Sequence, residues 1–348
     1  MHLIIILLLV VGYLFYKIYN YGIYITLNKK DFLYLTSILI LSIGFRGEGV
    51  DNDYSTYVAS LNRFMAISEP TFLLISTLIK STGLPVVTLF ITYAFIGIYY
   101  KMKIIQEYSF LPFVSIIIYV SNILLLQDIN QIRAGAATAF FLISIPYLVQ
   151  EKRTKFVMLI LIASLFHFSS LLYLILLFIN NKKLNYNKYI LWAILPLCGY
   201  AFYFIFNQNI IEMIPIAPIR DKLLMYQELQ SSGSEGFANI NLFNPYFLFK
   251  IIIYYFILEY YYTLIEFDNN LTLYLKIFAI SLLIFPTLGA ITPILGYRAS
   301  DLFSCIEILL FPYIFTLFKG NHIKTYCIGF YFILLFSINI FYKHLIYI

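Results

Sequence analysis

Residues 152–183 read KRTKFVMLILIASLFHFSSLLYLILLFINNKK, and the topology of the chain turns on them. The apolar run from Phe156 to Ile179 is long enough to cross a bilayer, yet His167-Phe168-Ser169-Ser170 breaks it in the middle. Lysine and arginine gather in cytoplasmic loops. Lys152, Arg153 and Lys155 before the run, and Lys182, Lys183 and Lys188 after it, therefore ask for the same side of the membrane. A helix-break-helix hairpin re-entering from the cytoplasm satisfies both clusters, and is favoured over a single long span. The hairpin leaves both termini outside; a single crossing would invert everything after residue 179.

Outward from this stretch the chain is equally apolar. Of its 348 residues 62% are hydrophobic and only 11% charged, with a mean hydropathy of +0.87, which excludes an ordinary soluble domain. Stretches 2–20, 31–46, 84–103, 111–127, 131–149, 188–206, 244–265, 270–294, 298–318 and 324–342 each approach the roughly 20 residues that a span requires. The expectation is an all-α polytopic integral membrane protein of about 10–12 transmembrane helices, one membrane domain over 1–348 with external loops 46–83 and 207–243. Leu3 to Tyr16 follows only Met1 and His2, with no basic region or cleavage site, so it reads as a first span.

A net charge of +6 from scattered residues gives no nucleic-acid footprint. Cys198, Cys305 and Cys327 fall in apolar runs, and His2, His167, His322 and His344 are dispersed. No metal site and no cofactor are expected.

Lysines mark the cytoplasmic side: Lys17, Lys29 and Lys30; Lys101 and Lys103; the two clusters around the hairpin; Lys319 and Lys324. The opposite side holds 46–83, 128–130, 207–243 and 295–297. In 207–243, Glu212, Asp221, Glu228 and Glu235 outweigh Arg220 and Lys222. Glu266 and Asp268 dissent, but acidic residues weigh little in this rule.

Of the six arginines, only Arg153 joins a lysine cluster; Arg46, Arg63, Arg133, Arg220 and Arg298 fall on the external side. A guanidinium fork matches phosphate oxygens bidentately. Arg46, Arg133 and Arg298 lie within a few residues of a span end, which points to a pocket for an anionic, lipid-linked substrate. Taken singly, each could equally snorkel or pair with an acid.

Three motifs surround these residues. After Arg46-Gly47, Asp51 or Asn52 can cap a surface helix in which Tyr54, Tyr57, Val58, Leu61, Phe64 and Met65 share one face, while Asn52, Asp53, Ser60 and Arg63 take the other. Glu69-Pro70 then opens a short segment closed by Gly83-Leu84-Pro85. Gln127-Asp128-Ile129-Asn130-Gln131-Ile132-Arg133 enters a span through Gly135 and Ala139, a small-residue face that lets helices approach. His167, Ser169 and Ser170 would sit near mid-membrane, where a polar cluster is a functional candidate or a helix break held by a neutral histidine. Arg298 and Asp301 stand one turn apart and could be an ion pair.

This ordered set resembles the EpsG/Wzy family of bacterial polysaccharide polymerases: Arg46, Gly47, Asp51, Tyr54 and Tyr57; Glu69-Pro70; Gln131-Ile132-Arg133 leading an Ala-rich helix; the connector ending in Lys155; the Ala163–Ser170 run; and a late Arg298. Coverage is nearly the whole chain. Glu48 beside Gly49, and Gly135, depart from the pattern without removing a charged position.

The resemblance implies a multispanning, GT-C-like glycosyltransferase of the bacterial inner membrane. It would act on an undecaprenyl-pyrophosphate-linked oligosaccharide at the external face, in O-antigen or other lipopolysaccharide biosynthesis, with a chain-length regulator as a further partner. Arg46, Arg298 and Arg133 would hold the pyrophosphate, with Tyr54, Tyr57 and Gln131 in support. Asp51, His167, Asp53 and Glu69 are candidates for the base. Asp51 and His167 rank first and the residues do not separate them, although a mid-membrane His167 would be too deep for sugar chemistry. Rival readings are a flippase for the same lipid, a membrane acyltransferase and an O-antigen ligase. No internal repeat of the transporter kind is evident.

Overall fold

The computed structural model describes residues 2–63, 69–205, 220–221, 223–225, 228, 231–232 and 241–347. The described residues are helical with no strand, and eight of their helices are long and apolar enough to cross a membrane. Phe64, Met65, the side chain of Arg63 and most of the 207–243 loop, with Glu212 and Glu235, lie outside the described residues. Where the sequence reads as one continuous domain, contacts divide the chain into two compact bodies, Met1–Leu177 with Glu307–Ile348, and Phe178–Ile306.

In the first body, α1 (His2–Tyr21) and α2 (Lys29–Gly44) are joined by a polar clasp. Asn28 caps α2 by accepting from the Asp31 N–H, and the Asp31 carboxylate takes the Tyr13 hydroxyl at 2.7 Å and Lys17 Nζ at 3.0 Å. The surface helix is α3 (Tyr54–Arg63) and the short segment is α4 (Pro70–Thr82). Proline suits the first turn of α4 because its missing N–H would be unpaired there anyway. Gly83 ends α4 at φ +67°, a left-handed conformation that glycine adopts without strain. Tyr57 and Leu61 of α3 pack with Phe72, Ile79, Phe90 and Tyr93, so α3 is anchored by one face, as its pattern predicts.

Helix α5 (Val87–Tyr108) runs five residues past the expected end of its span. Helix α6 begins at Pro112 and winds from α into π geometry over Tyr119–Asn130, and α7 (Ile132–Val149) follows after a single residue. Most π-helical stretches are single turns, often at functional sites; here the wide winding carries the whole 127–130 motif.

The hairpin expectation matches the contacts. Helix α8 (Arg153–Phe166) starts with Lys155 over the Tyr147 ring and ends with Phe166 stacked on Phe140. His167 is extended, and the chain continues as a 3-10 stretch, Phe168–Phe178, whose Tyr173 stacks on Phe141 at 3.7 Å. The chain therefore climbs α7 from its Val149 end to its Arg133 end, turns at His167 and comes back. The Ser170 hydroxyl and N–H both donate to the His167 carbonyl, which pins the turn.

Two expectations fail on this geometry. His167 does not lie midway along the neighbouring helix: it is level with the first turn of α7, and the Thr71 hydroxyl bonds the nearby Leu165 carbonyl. Doubling the run back on itself moves its midpoint to the far end of the span. Lys101 is not a cytoplasmic marker: it is wholly buried inside α5 and paired with Asp128.

The second body packs α9 (Tyr186–Ile205), α10 (Pro245–Glu259), α11 (Leu271–Gly289) and α12 (Pro293–Ser304). Close approach depends on two glycines. A Cβ on Gly199 would meet Pro286 at 2.7 Å, and one on Gly296 would meet the Phe285 carbonyl at 2.6 Å. Residues 307–316 and α13 (Asn321–Ser337) belong to the first body.

Candidate functional site

Three of the motifs read from the sequence converge at the Arg133 end of α7. Glu69 Oε1 accepts from Arg133 Nη1 at 2.5 Å and lies 3.2 Å from His167 Nδ1. Each element delivers its residue for a local reason. Glu69 stands at the cap position before Pro70, Arg133 in the first turn of α7, and His167 at the tip of the hairpin.

The carboxylate is nearly sealed, whereas about a fifth of the Arg133 side chain and a seventh of the His167 side chain remain open. Burial raises the Glu69 carboxyl, but the His167 contact and the Arg133 charge outweigh it and hold the group below its usual range. Arg133 also lies over the Tyr57 ring, 5.8 Å from its centroid, and its Nε has no hydrogen-bond partner among the described residues. The guanidinium thus keeps donor capacity beyond Glu69.

Arg46 is placed differently from the expectation of a pyrophosphate ligand. Its Nε donates to Asp51 Oδ2 at 2.6 Å, Nη1 to the Ile43 carbonyl at 3.0 Å and Nη2 to the Ile129 carbonyl at 2.7 Å. Both side chains of the pair are fully buried, and the guanidinium lies over the Phe90 ring. Arg46 closes its own loop and ties it to the end of α6. Asp51 neither caps α3 nor reaches an open surface, since its other oxygen takes the Asp53 N–H. Asp53 is half-buried and Asn52 exposed. Asn52 bonds the His344 carbonyl and the Tyr347 hydroxyl, and Asn130 bonds the Leu345 carbonyl, so the loop is also strapped to residues 344–347.

The supporting residues divide. Tyr54 stacks on Phe90 at 4.4 Å and Tyr57 is buried against Arg133, while Gln131 contributes backbone bonds at the α6–α7 junction. Arg298 is exposed on α12 in the second body.

Sequence reading missed the Lys101–Asp128 pair and the buried Tyr93 hydroxyl, which has no hydrogen-bond partner among the described residues. The pattern assigned Lys101 to a cytoplasmic cluster and Asp128 to the external segment 128–130, so nothing in it marked the pair, and nothing marked Tyr93.

An apolar groove of about 890 Å³ opens along α1 and α2, lined by Tyr13, Tyr34, Leu41 and Phe45 and ending at Arg46, Gly47 and Val50. Among the described residues no group of three or more His, Cys, Asp or Glu side chains is arranged to hold a metal ion.

No curated protein and no solved structure matches the chain. A family model described as the EpsG family matches residues 29–347, which include every motif assembled above. The chain belongs to the EpsG family.

Proposed function

We propose that this EpsG-family chain is a membrane glycosyltransferase of the polysaccharide-polymerase type. It transfers a growing glycan from undecaprenyl pyrophosphate to a hydroxyl of a new lipid-linked repeat unit, at the external face of a bacterial inner membrane. The observation that carries the reading is the meeting of Glu69, Arg133 and His167 at one end of a span, where lipid-linked diphosphate and sugar would be presented together.

The division of labour follows from the geometry. An ionised Glu69 accepts the Nδ1 proton of His167, which leaves Nε2 as a lone-pair acceptor for the proton of the attacking hydroxyl. The hydroxyl oxygen bonds to the anomeric carbon as the bond from that carbon to the pyrophosphate oxygen breaks. Charge grows on the leaving diphosphate, and Arg133 stabilises it with the donors that Glu69 does not use.

In this assignment His167 is the base, Glu69 its positioning residue and Arg133 the diphosphate ligand. Asp51 is too enclosed to receive a proton from substrate and Arg46 is already committed to protein acceptors. Arg298, exposed on α12, remains a proposed diphosphate ligand in its own right. The groove beside Arg46 is of a size and polarity suited to a hydrocarbon chain.

Deleting the gene and resolving surface glycolipid on a gel tests the reading. Polymerase loss leaves acceptor carrying a single repeat unit. Bare acceptor would point instead to a flippase or ligase, and an unchanged ladder to an acyltransferase.

A further inference from the structure

The Lys101–Asp128 pair lies outside the chemistry just described. Lys101 Nζ donates to Asp128 Oδ1 at 2.7 Å, to Oδ2 at 2.8 Å and to the Gly135 carbonyl at 2.9 Å, which uses all three ammonium protons. The Tyr119 hydroxyl gives Asp128 Oδ2 a further bond at 2.7 Å. The two charged side chains are 0% and 1% exposed, within helices apolar enough to span a membrane.

Stability alone does not account for such a pair. Desolvating two charges costs about as much as their attraction returns, and apolar residues of similar volume hold a core equally well. Ionisable groups inside a membrane domain call for a functional reason.

Their position supplies one. Gly135 lies two residues beyond Arg133 in the first turn of α7, so Lys101 grips the turn that carries the arginine. Gln127 holds the next turn of α7: its Oε1 accepts the Thr138 hydroxyl at 2.7 Å. Space for these contacts is cleared on purpose-built backbone. A Cβ on Gly97 would stand 2.2 Å from Asp128 Oδ1, and one on Gly135 would stand 2.8 Å from both Asp128 Oδ1 and the Gln127 carbonyl. The turn is thus held through α5 and α6, by contacts that involve neither Glu69 nor His167.

We propose that Lys101 and Asp128 are positioning residues for Arg133, setting the depth and rotation of the first turn of α7 so that the guanidinium meets the leaving diphosphate. The proposal rests on the polymerase reading for its catalytic consequence. A displacement of an ångström at a reacting centre is enough to cost about 100-fold in rate.

The test compares Asp128→Asn, Lys101→Met and the double apolar variant Lys101→Met/Asp128→Leu with the wild-type protein in liposomes. Thermal unfolding, kcat and KM for a lipid-linked repeat unit, and amide hydrogen exchange over residues 131–137 are read on each. Lys101→Met should unfold at lower temperature, and the double variant should recover that loss. The double variant should nevertheless keep a kcat about 100-fold down, with KM nearly unchanged and faster exchange at 131–137. Recovery of wild-type kcat and exchange together with thermal stability would make the pair a packing feature and overturn the proposal. Asp128→Asn keeps the shape of the site, and unchanged kcat and exchange in it would overturn the proposal as well. A wild-type protein that lengthens no chains would defeat the polymerase reading; the exchange comparison would still decide whether the pair fixes the turn.

Discussion

Replacing Glu69 by glutamine separates binding from catalysis at the assembled site. A glutamine amide can donate to His167 Nδ1, which transfers the ring proton to Nε2 and removes the lone pair that receives the acceptor's proton. A positioned base contributes about 10²- to 10⁴-fold, so kcat should fall by that factor, or about 3–5 kcal/mol of barrier at 1.36 kcal/mol per decade. The same change releases Arg133 from its 2.5 Å contact with the carboxylate and leaves the guanidinium free for diphosphate. KM for the lipid-linked donor should therefore hold or drop while kcat collapses. His167→Ala should lose as much, and the double variant no more than either single one, because the two residues act as a unit. Initial rates of chain lengthening on purified lipid-linked repeats, with folding checked by thermal unfolding, provide the measurement. A Glu69→Gln protein with wild-type kcat and a raised KM would refute the reasoning, since Glu69 would then be binding sugar rather than orienting the imidazole.

Arg46→Ala strands the fully buried Asp51 and should cost about 3–5 kcal/mol, seen as a lower unfolding temperature and reduced protein in membranes; wild-type stability would mean the pair is not sealed. Gly97→Ala must displace the Asp128 carboxylate, and overpacking of this kind costs about 1–3 kcal/mol, measurable by thermal unfolding; an unchanged unfolding temperature would mean that the carboxylate has room to move. Glu69 gives a pH signature. Its carboxyl is lowered in the folded protein, so its stabilisation is complete above the unfolded value of about 4.3 and is lost as pH falls through the folded value. Unfolding temperatures of wild type and Glu69→Gln should differ at neutral pH and converge in acid; a constant gap would contradict the ion-pair assignment.

The hairpin was legible because lysine placement reports sides, and Lys152–Lys155 and Lys182–Lys188 report the same one. Its depth was not, because hydropathy treats 156–179 as one thickness of membrane and therefore centres His167. The return of Tyr173 onto Phe141 and the contact of His167 with Glu69 show that the turn lies at the Arg133 end. The arginines stood out by number and side, but their partners did not. Arg46 meets an acid five residues away, whereas Arg133 reaches past the nearer Asp128 to Glu69, and no local pattern distinguishes the two cases. Lys101 misled for a related reason. Close to a span end it looks like a loop lysine, and its true neighbour is an aspartate from the next span.

The first body is interrupted in sequence by the second and is completed only by residues 307–348. During synthesis the triad residues 69, 133 and 167 are all made in the first half of the chain. The strap at 344–347 that holds Asn52 and Asn130 is made long after them. A nascent chain therefore carries every charged group of the site well before the loop between Arg46 and Asp53 can be fastened. The loop that carries Arg46 and Asp51 is thus fastened by a residue 292 positions beyond Asn52.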